Sequence, residues 1–359
     1  MKNIYDRLFF VMEKKKQAAL ATIIETEGST PQVPGASAIF SSEGLLAGTL
    51  GGGLLEADCQ KRTLQALKEK RTFVHQFDLN AGLGSDEGAV CGGRVKILVD
   101  SSPEQHRETF RRLHQSFTKR RPGLLVTFIE HHGDKGISVF RKWIENGERS
   151  FPVPEIPVGW WKKQAARAFS ERQTLLLKLH SKERRAGVKG KYLFLEPIFP
   201  LAQLVIAGAG HVGRAVAHLG SVLDFEVTVI DDRPEFANKD HIPDADHVVV
   251  EEMGKAVKNF PFTSDTYLVI VTRGHRQDGE VLRESIASPA AYIGMIGSRR
   301  KIELIRKSFL QKGWATARQF DRVHAPIGLE IGSKTVEEIA VSIAAQLVQV
   351  RSQKRKEQT

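Results

Sequence analysis

Apolar and polar positions along this chain fall into two rhythms. From residue 203 onward, short continuously apolar runs rich in Val and Ile alternate with helix-like stretches: LVIAGA, then EVTVID (226–231), HVVVEE (247–252), YLVIVT (267–272) and AYIGMIG (291–297). Runs of that kind belong to strands buried on both faces, so the pattern predicts a parallel sheet covered by helices on either side. Right-handed crossovers make it doubly wound. Before residue 200 the rhythm is mixed. An amphipathic helix is predicted within residues 1–16, and strands at 18–26, 36–42, 72–79 and 93–100. A helix is predicted over 53–70 with Leu54, Leu55, Cys59, Leu64 and Leu67 on its apolar face. The stretch 101–190 is polar, basic and irregular. It offers a helix near 103–118, a hairpin of 124–130 with 136–143, a proline-rich loop at 151–160 and a helix at 162–175. A strand at 192–200 ends on a proline.

The fold class expected is therefore α/β: a mixed α+β domain over 1–199, with its ordered core at 16–100 and a variable basic region at 101–190, then a Rossmann-type doubly wound domain over 200–359. A length of 359 residues suits two domains. No apolar run is long enough to span a bilayer, and the N-terminal segment does not read as a signal peptide, so no membrane association is expected. With only Cys59 and Cys91 there is no disulfide framework, and a reducing cytoplasm is the expected location.

Charge changes the picture only in the first half. The chain carries +11, but residues 1–200 hold 32 Lys+Arg against 22 Asp+Glu, whereas residues 201–359 hold 21 against 20. The excess is either a solvated basic surface or a docking face for an acidic protein partner. No aromatic-interleaved motif accompanies it, so nucleic acid is not expected.

Candidate chemistry lies in loops. Gly208-Ala209-Gly210-His211-Val212-Gly213 follows a strand and opens a helix, and Asp231 ends the next strand 23 residues past Gly208. These are the requirements of a dinucleotide-binding turn: Gly208 for the tight turn, Gly210 for close approach of a pyrophosphate, Gly213 for helix–sheet packing, Asp231 for the ribose hydroxyls. His211 is a ligand-contact candidate at the phosphate turn, facing the crevice. Two further loops leave strand ends: Thr272-Arg273-Gly274-His275, with Asp278 behind it, and Gly297-Ser298-Arg299-Arg300-Lys301. Arg273, Arg299 and Arg300 suit bidentate phosphate contacts, and the cations Arg299–Lys301 at a helix start are poorly placed unless an anion bridges them, so these loops, with Ser298, are read as an anion site. A catalytic base is sought in His211 and His275. In the first half, Gly28-Ser29-Thr30-Pro31 and the triple glycine Gly51-Gly52-Gly53 offer N–H nests and the hydroxyls of Ser29 and Thr30. Cys91 sits beside Gly92-Gly93 and is the thiol suited to exposure, while Cys59 reads as a small buried hydrophobe.

Together GSTP, PGA, GTLGGGLLEA and CGG, followed by IAGAGHVGRAVA, VIDDR, VTRGH, GMIGSRRK and HAPIGLEIGSKTVEEIAVSI, resemble the XdhC/CoxI family over about 16–100 and 190–350. The resemblance implies a maturation factor for xanthine dehydrogenase or a related molybdenum hydroxylase. Such a factor is an accessory protein without turnover of its own. It binds the molybdenum cofactor (molybdopterin), protects it while sulfur is installed, and delivers it to the apo-enzyme. The implied partners are the hydroxylase, a cysteine desulfurase and a second copy of the chain. The implied cofactor-handling residues are Cys91, which would touch the metal, and Gly51, Gly52 and Gly53. The alternatives are an NAD-dependent oxidoreductase and a regulator that senses NAD or another dinucleotide.

Overall fold

The N-terminal apolar stripe forms α1 (Ile4–Glu13), which buries Tyr5, Leu8, Val11 and Met12. This computed structural model describes residues 4–79, 92–133, 136–146, 156–179 and 190–357. The chain divides into two units, one ending at Pro200 and the other beginning at Leu201.

In the first unit β1 (Ala19–Gly28), β2 (Ser37–Ser41), β3 (Gly44–Gly48), β4 (Phe73–Asp78) and β5 (Gly93–Asp100) form an antiparallel sheet in the order β3-β2-β1-β5-β4. The first six residues of β1 are all buried because both faces are covered. On one face α2 (Gly53–Glu69) packs Leu55, Cys59 and Ala66 against Ala21, Ile23, Phe40 and Ile97. On the other, Tyr5 and Leu8 of α1 join Phe110 and Leu113 of α3 (Arg107–Thr118) over Leu20 and Ile39. The buried stripe of α2 runs through Leu55, Cys59, Thr63, Ala66 and Leu67; Leu54, expected on it, is 44% exposed because helical spacing turns it away from that stripe.

The region read as irregular supplies an ordered second sheet, which corrects the sequence expectation. β6 (Gly123–His131), β7 (Ile137–Glu145), β8 (Leu175–Leu179) and β9 (Gly190–Ile198) pair antiparallel in the order β7-β6-β9-β8. The predicted hairpin is there, with Phe128 opposite Phe140. The predicted helix is shifted to α4 (Val158–Glu171), whose Trp161 and Ala168 cover one face of this sheet. Ile129 and Phe194 join Ile24 and Leu98 of the first sheet in one apolar cluster.

The second unit is the parallel sheet predicted. β10 (Gln203–Ala207), β11 (Glu226–Asp231), β12 (His247–Val250), β13 (Thr266–Ile270) and β14 (Tyr292–Met295) take the order β12-β11-β10-β13-β14. The order reverses at β10/β13, and that reversal opens a crevice at the carboxyl ends of the strands. Helices α6 (Met253–Asn259), α7 (His275–Ser285) and α8 (Arg299–Gln311) cover one face through Val257, Val281, Leu282, Ile302 and Phe309. On the opposite face α5 (His211–Val222) packs with the long C-terminal helix, which follows the short α9 (Ala317–Asp321). That last helix, α10 (Val336–Glu357), places Ala340, Ile343 and Leu347 beside Val216 and Ala217, so it completes this unit. Among the described residues no helix is long and apolar enough to cross a membrane.

Candidate functional site

Three glycine loops of the first unit meet at one end of its sheet. The register of β1 with β5 sets Gly28 opposite Gly93. A Cβ on Gly93 would lie 2.6 Å from the Ser29 carbonyl oxygen and 3.0 Å from the Thr30 methyl. One on Gly28 would lie 2.8 Å from the Gly92 carbonyl oxygen, and one on Gly51 2.7 Å from Pro31 Cγ. These glycines are there because backbones touch. Gly52 and Gly53 differ: both have positive φ, yet a Cβ on either would meet nothing within 4 Å. The ground in front of the uncapped start of α2 is open.

The loop is not a fully free nest. Glu56 folds back so that one carboxylate oxygen accepts from the Thr49 hydroxyl at 2.7 Å and the Leu50 N–H at 2.8 Å, and the Gly51 N–H donates to Thr49 Oγ1. The Thr30 hydroxyl donates to the Gln32 carbonyl, and Ser29 is exposed. Cys91 lies outside the described residues; its neighbour Gly92 is the residue whose carbonyl abuts Gly28. Cys59 is buried, and burial pushes its thiol up to about 11, so it is no thiolate ligand.

In the second unit the three fingerprint glycines separate by cause. A Cβ on Gly208 (φ +116°) would sit 2.4 Å from the Val271 carbonyl oxygen, and one on Gly213 would sit 1.9 Å from the Gly208 carbonyl oxygen. Around Gly210 nothing lies within 4 Å, so no neighbour in the chain demands a glycine there. Gly274, the N-cap of α7, is equally open, and neither helix has a side-chain cap.

Asp231, read as the ribose acceptor, is 1% exposed and fully engaged. It accepts from the Ala209 N–H at 2.8 Å, from the Arg233 N–H at 3.1 Å, and from both edges of the Arg233 guanidinium at 2.9 Å. Burial alone would raise its pKa, but the Arg233 side chain and the two N–H groups bring it down to about 2. Its work is to hold the glycine turn. The next residue, Asp232, was not singled out from the sequence, although the acid doublet at a strand end was the available signal. Its Oδ2 accepts from Arg273 at 3.1 Å and Gln277 at 3.5 Å.

Two of the three cations after β14, Arg299 and Lys301, are paired with acids of the chain. Lys301 turns inward to fully buried Asp278, which also accepts from the Thr272 hydroxyl at 2.7 Å, and to the Ile296 carbonyl. Ser298 caps α8 by accepting from the Lys301 N–H. Arg299 pairs with Glu330 on the open surface, the two side chains 78% and 86% exposed. Arg299→Ala is therefore expected to shift stability by less than about 0.5 kcal/mol, read as the denaturation midpoint; a larger loss would show that the pair is structural. His211 lines a groove of about 430 Å3 with Arg214, His218, Pro243, Asp244 and Val336, and His275 is exposed at the start of α7. Among the described residues no group of three His, Cys, Asp or Glu side chains could hold a metal ion.

An α+β unit with converging glycine loops is thus followed by a doubly wound unit whose first turn has the dinucleotide-type glycine pattern. Residues 11–78 match the XdhC and CoxI family, residues 204–347 match the XdhC Rossmann domain, and the chain belongs to this family. It is similar to a Bacillus subtilis protein named as a probable xanthine dehydrogenase subunit, 26% identical over 98% of both chains. It is also 25% identical to the uncharacterized protein YqeB of Escherichia coli, over 98% of this chain but 46% of that protein's length. A crystal structure titled as a xanthine dehydrogenase from Bacillus halodurans shares the fold, with a TM-score of 0.73 at 22% identity over 97% of this chain and 96% of that one.

Proposed function

We propose that this chain is an accessory factor of a xanthine dehydrogenase or related molybdenum hydroxylase, which holds the molybdenum cofactor and passes it to the apo-enzyme. Family membership and the full-length relative named for a xanthine dehydrogenase support the class of partner. The observation that carries the holding role is the convergence of the Ser29–Pro31, Gly51–Gly53 and Gly92–Gly93 segments around open space at Gly52 and Gly53. Open backbone at the start of a helix, with hydroxyls beside it, suits the phosphate of a pterin. The cofactor brings a molybdenum–dithiolene centre, for which a soft thiolate at Cys91 is the fitting ligand. The basic excess of residues 1–200 suits an acidic face on the enzyme that receives it. A cysteine desulfurase and a second copy of the chain belong to the same reading.

The test is retention of molybdopterin by the full chain after incubation and gel filtration, scored by molybdenum content and by fluorescence of the oxidised pterin. Retention is expected in the parent, lost metal in Cys91→Ala, and weakened binding of the whole cofactor in Gly52→Val. A parent chain that retains neither metal nor pterin sinks the proposal.

A further inference from the structure

We infer that the outward face of α1 and α3 is the surface on which the receiving hydroxylase docks, an acidic patch of that enzyme closing over Phe10 as the apolar anchor. The inference rests on the accessory reading above and adds the surface that holds the partner.

The two helices run antiparallel. Asp6 meets His114 Nδ1 at 3.1 Å near one end. At the other the Arg107 guanidinium donates to the Met12 carbonyl at 3.1 Å and pairs with Glu13 at 3.5 Å. Their inner positions, Tyr5 and Leu8 with Phe110 and Leu113, cover the sheet beneath. The outward positions form two stripes. On α1 they are Arg7, Phe10 and Lys14, at i, i+3 and i+7, with the Lys14 N–H still bonded to the Phe10 carbonyl. On α3 they are Arg107, Arg111 and His114, at i, i+4 and i+7. The His114 ring joins the stripes: it stacks on Phe9 with centroids 5.0 Å apart and meets Phe10 edge-on at 5.3 Å. Phe10 is therefore 49% exposed yet seated, a large apolar group presented to solvent on a platform of two other rings. A ring already held in place loses little freedom when a partner covers it, and such rings anchor interfaces.

The charge around the ring names the chemistry of the partner. The acids of the two helices each have a basic mate, Asp6 in His114, Glu13 in Arg107 and Glu108 in Arg111. Arg7, Lys14, Lys15 and Lys16 are exposed and meet no acid among the described residues. Lys15 stands at φ +54°, in the left-handed region where glycine ends a helix without strain. One cation would answer the negative end of α1. Three in succession, one of them strained, with Arg7 two turns back, leave a charge that the fold does not use. An apolar centre with a rim of unbalanced cations fits an acidic surface with a pocket for one ring. The run Lys14–Lys16 leads into β1 at Ala19, whereas the glycine loops gather at Gly28, so this surface and the loops proposed to hold the cofactor lie towards opposite ends of that strand.

The experiment immobilises the apo-xanthine dehydrogenase of the same organism and follows binding of the full chain by surface plasmon resonance at low and at high salt. Phe10→Ser is expected to weaken binding about tenfold through faster dissociation. Arg7→Glu combined with Lys14→Glu should slow association about tenfold at low salt, the difference shrinking at high salt. Both variants should keep the thermal midpoint and the molybdopterin retention of the parent, because the altered side chains are exposed and remote from the glycine loops. If either variant binds the enzyme as the parent does, the face is not the docking surface, while a parent that binds the enzyme and retains molybdopterin leaves the accessory reading standing. A parent chain that does not bind the enzyme overturns both. Competition by single-stranded DNA, or a homodimer that Phe10→Ser dissociates in sedimentation, assigns the face to nucleic acid or to a second copy and overturns the inference as well.

Discussion

Gly213→Ala is expected to cost roughly 3 kcal/mol or more of stability, whereas Gly210→Ala, three residues away in the same turn, should cost no more than about 1 kcal/mol. The new methyl at 213 would lie 1.9 Å from the Gly208 carbonyl oxygen and 3.0 Å from its carbon, and both are backbone atoms that cannot rotate away. Nor can the turn recede. The Gly208 N–H is bonded to the Ile230 carbonyl at 2.8 Å, and the far side of Gly208 abuts the Val271 carbonyl. The gain of about 1 kcal/mol that alanine brings to a helix interior is too small to offset this. At Gly210 the methyl enters empty space, and the only loss is that alanine is a poorer N-cap than glycine. Gly220→Ala should fall between, because its methyl meets the Leu204 side chain, which can change rotamer. The measurement is the thermal midpoint of the full chain for the three variants. Equal shifts at 210 and 213 would mean that helix α5 does not sit on its strand as described.

The second unit was legible because its signals are local. Val- and Ile-rich runs such as YLVIVT cannot be told apart from buried parallel strands, and a glycine turn between strand and helix fixes where the crevice lies. What sequence could not decide there was which of two adjacent acids is closed off by the chain itself. Asp231 and Asp232 are adjacent, alternation sends them to opposite sides of the strand end, and only the Ala209 and Arg233 contacts show which side is closed. In the first unit the glycine loops were visible, but their meeting was not. It depends on β1 pairing with β5 so that Gly28 faces Gly93, a register set between segments far apart in the chain. In the second sheet the hairpin and the strand before Pro200 were legible, and only β8 was not. Leu175–Leu179 is a leucine-rich run without alternation, close behind a helix, and leucine favours helices, so nothing local marks a strand. The exposed position of Leu54 is not a boundary error, since the helix starts at Gly53 as expected; helical spacing that buries Leu55, Cys59, Thr63 and Ala66 turns Leu54 to the other side.

Arg141→Met should be among the most damaging single substitutions in the first unit, at about 3–5 kcal/mol, because it strands a buried charge. Arg141 is 3% exposed and pairs with Asp100, also 3% exposed. Without it Asp100 keeps, among the described residues, the Ser102 N–H at 3.0 Å and the Thr72 hydroxyl at 3.4 Å. Two neighbours respond as well. His106 has its pKa lowered by burial and then by the Arg141 charge, so it would become easier to protonate. Glu196, buried where the Tyr5 hydroxyl donates to it, is pushed by burial up to about 7, against the pull of the Tyr5 hydrogen bond and the Arg141 charge. Loss of Arg141 would move it higher still. The sign of the resulting pH dependence is fixed. The folded state holds a proton on Glu196 above the ordinary carboxylate value near 4.5, so it binds more protons than the unfolded chain between about 4.5 and 7. This group's contribution to stability is complete below that window and is lost as pH rises through it, by about 3 kcal/mol in all. Glu196→Gln, which keeps an acceptor for Tyr5 and cannot ionise, should abolish that part of the slope and exceed the parent in stability at pH values above about 7. Other titrating groups, the histidines above all, contribute equally to parent and variant, so the difference between their urea denaturation curves across the window isolates Glu196. A difference that does not change with pH would mean that the buried carboxyl is ionised throughout, and that Arg141 serves two acids instead of one.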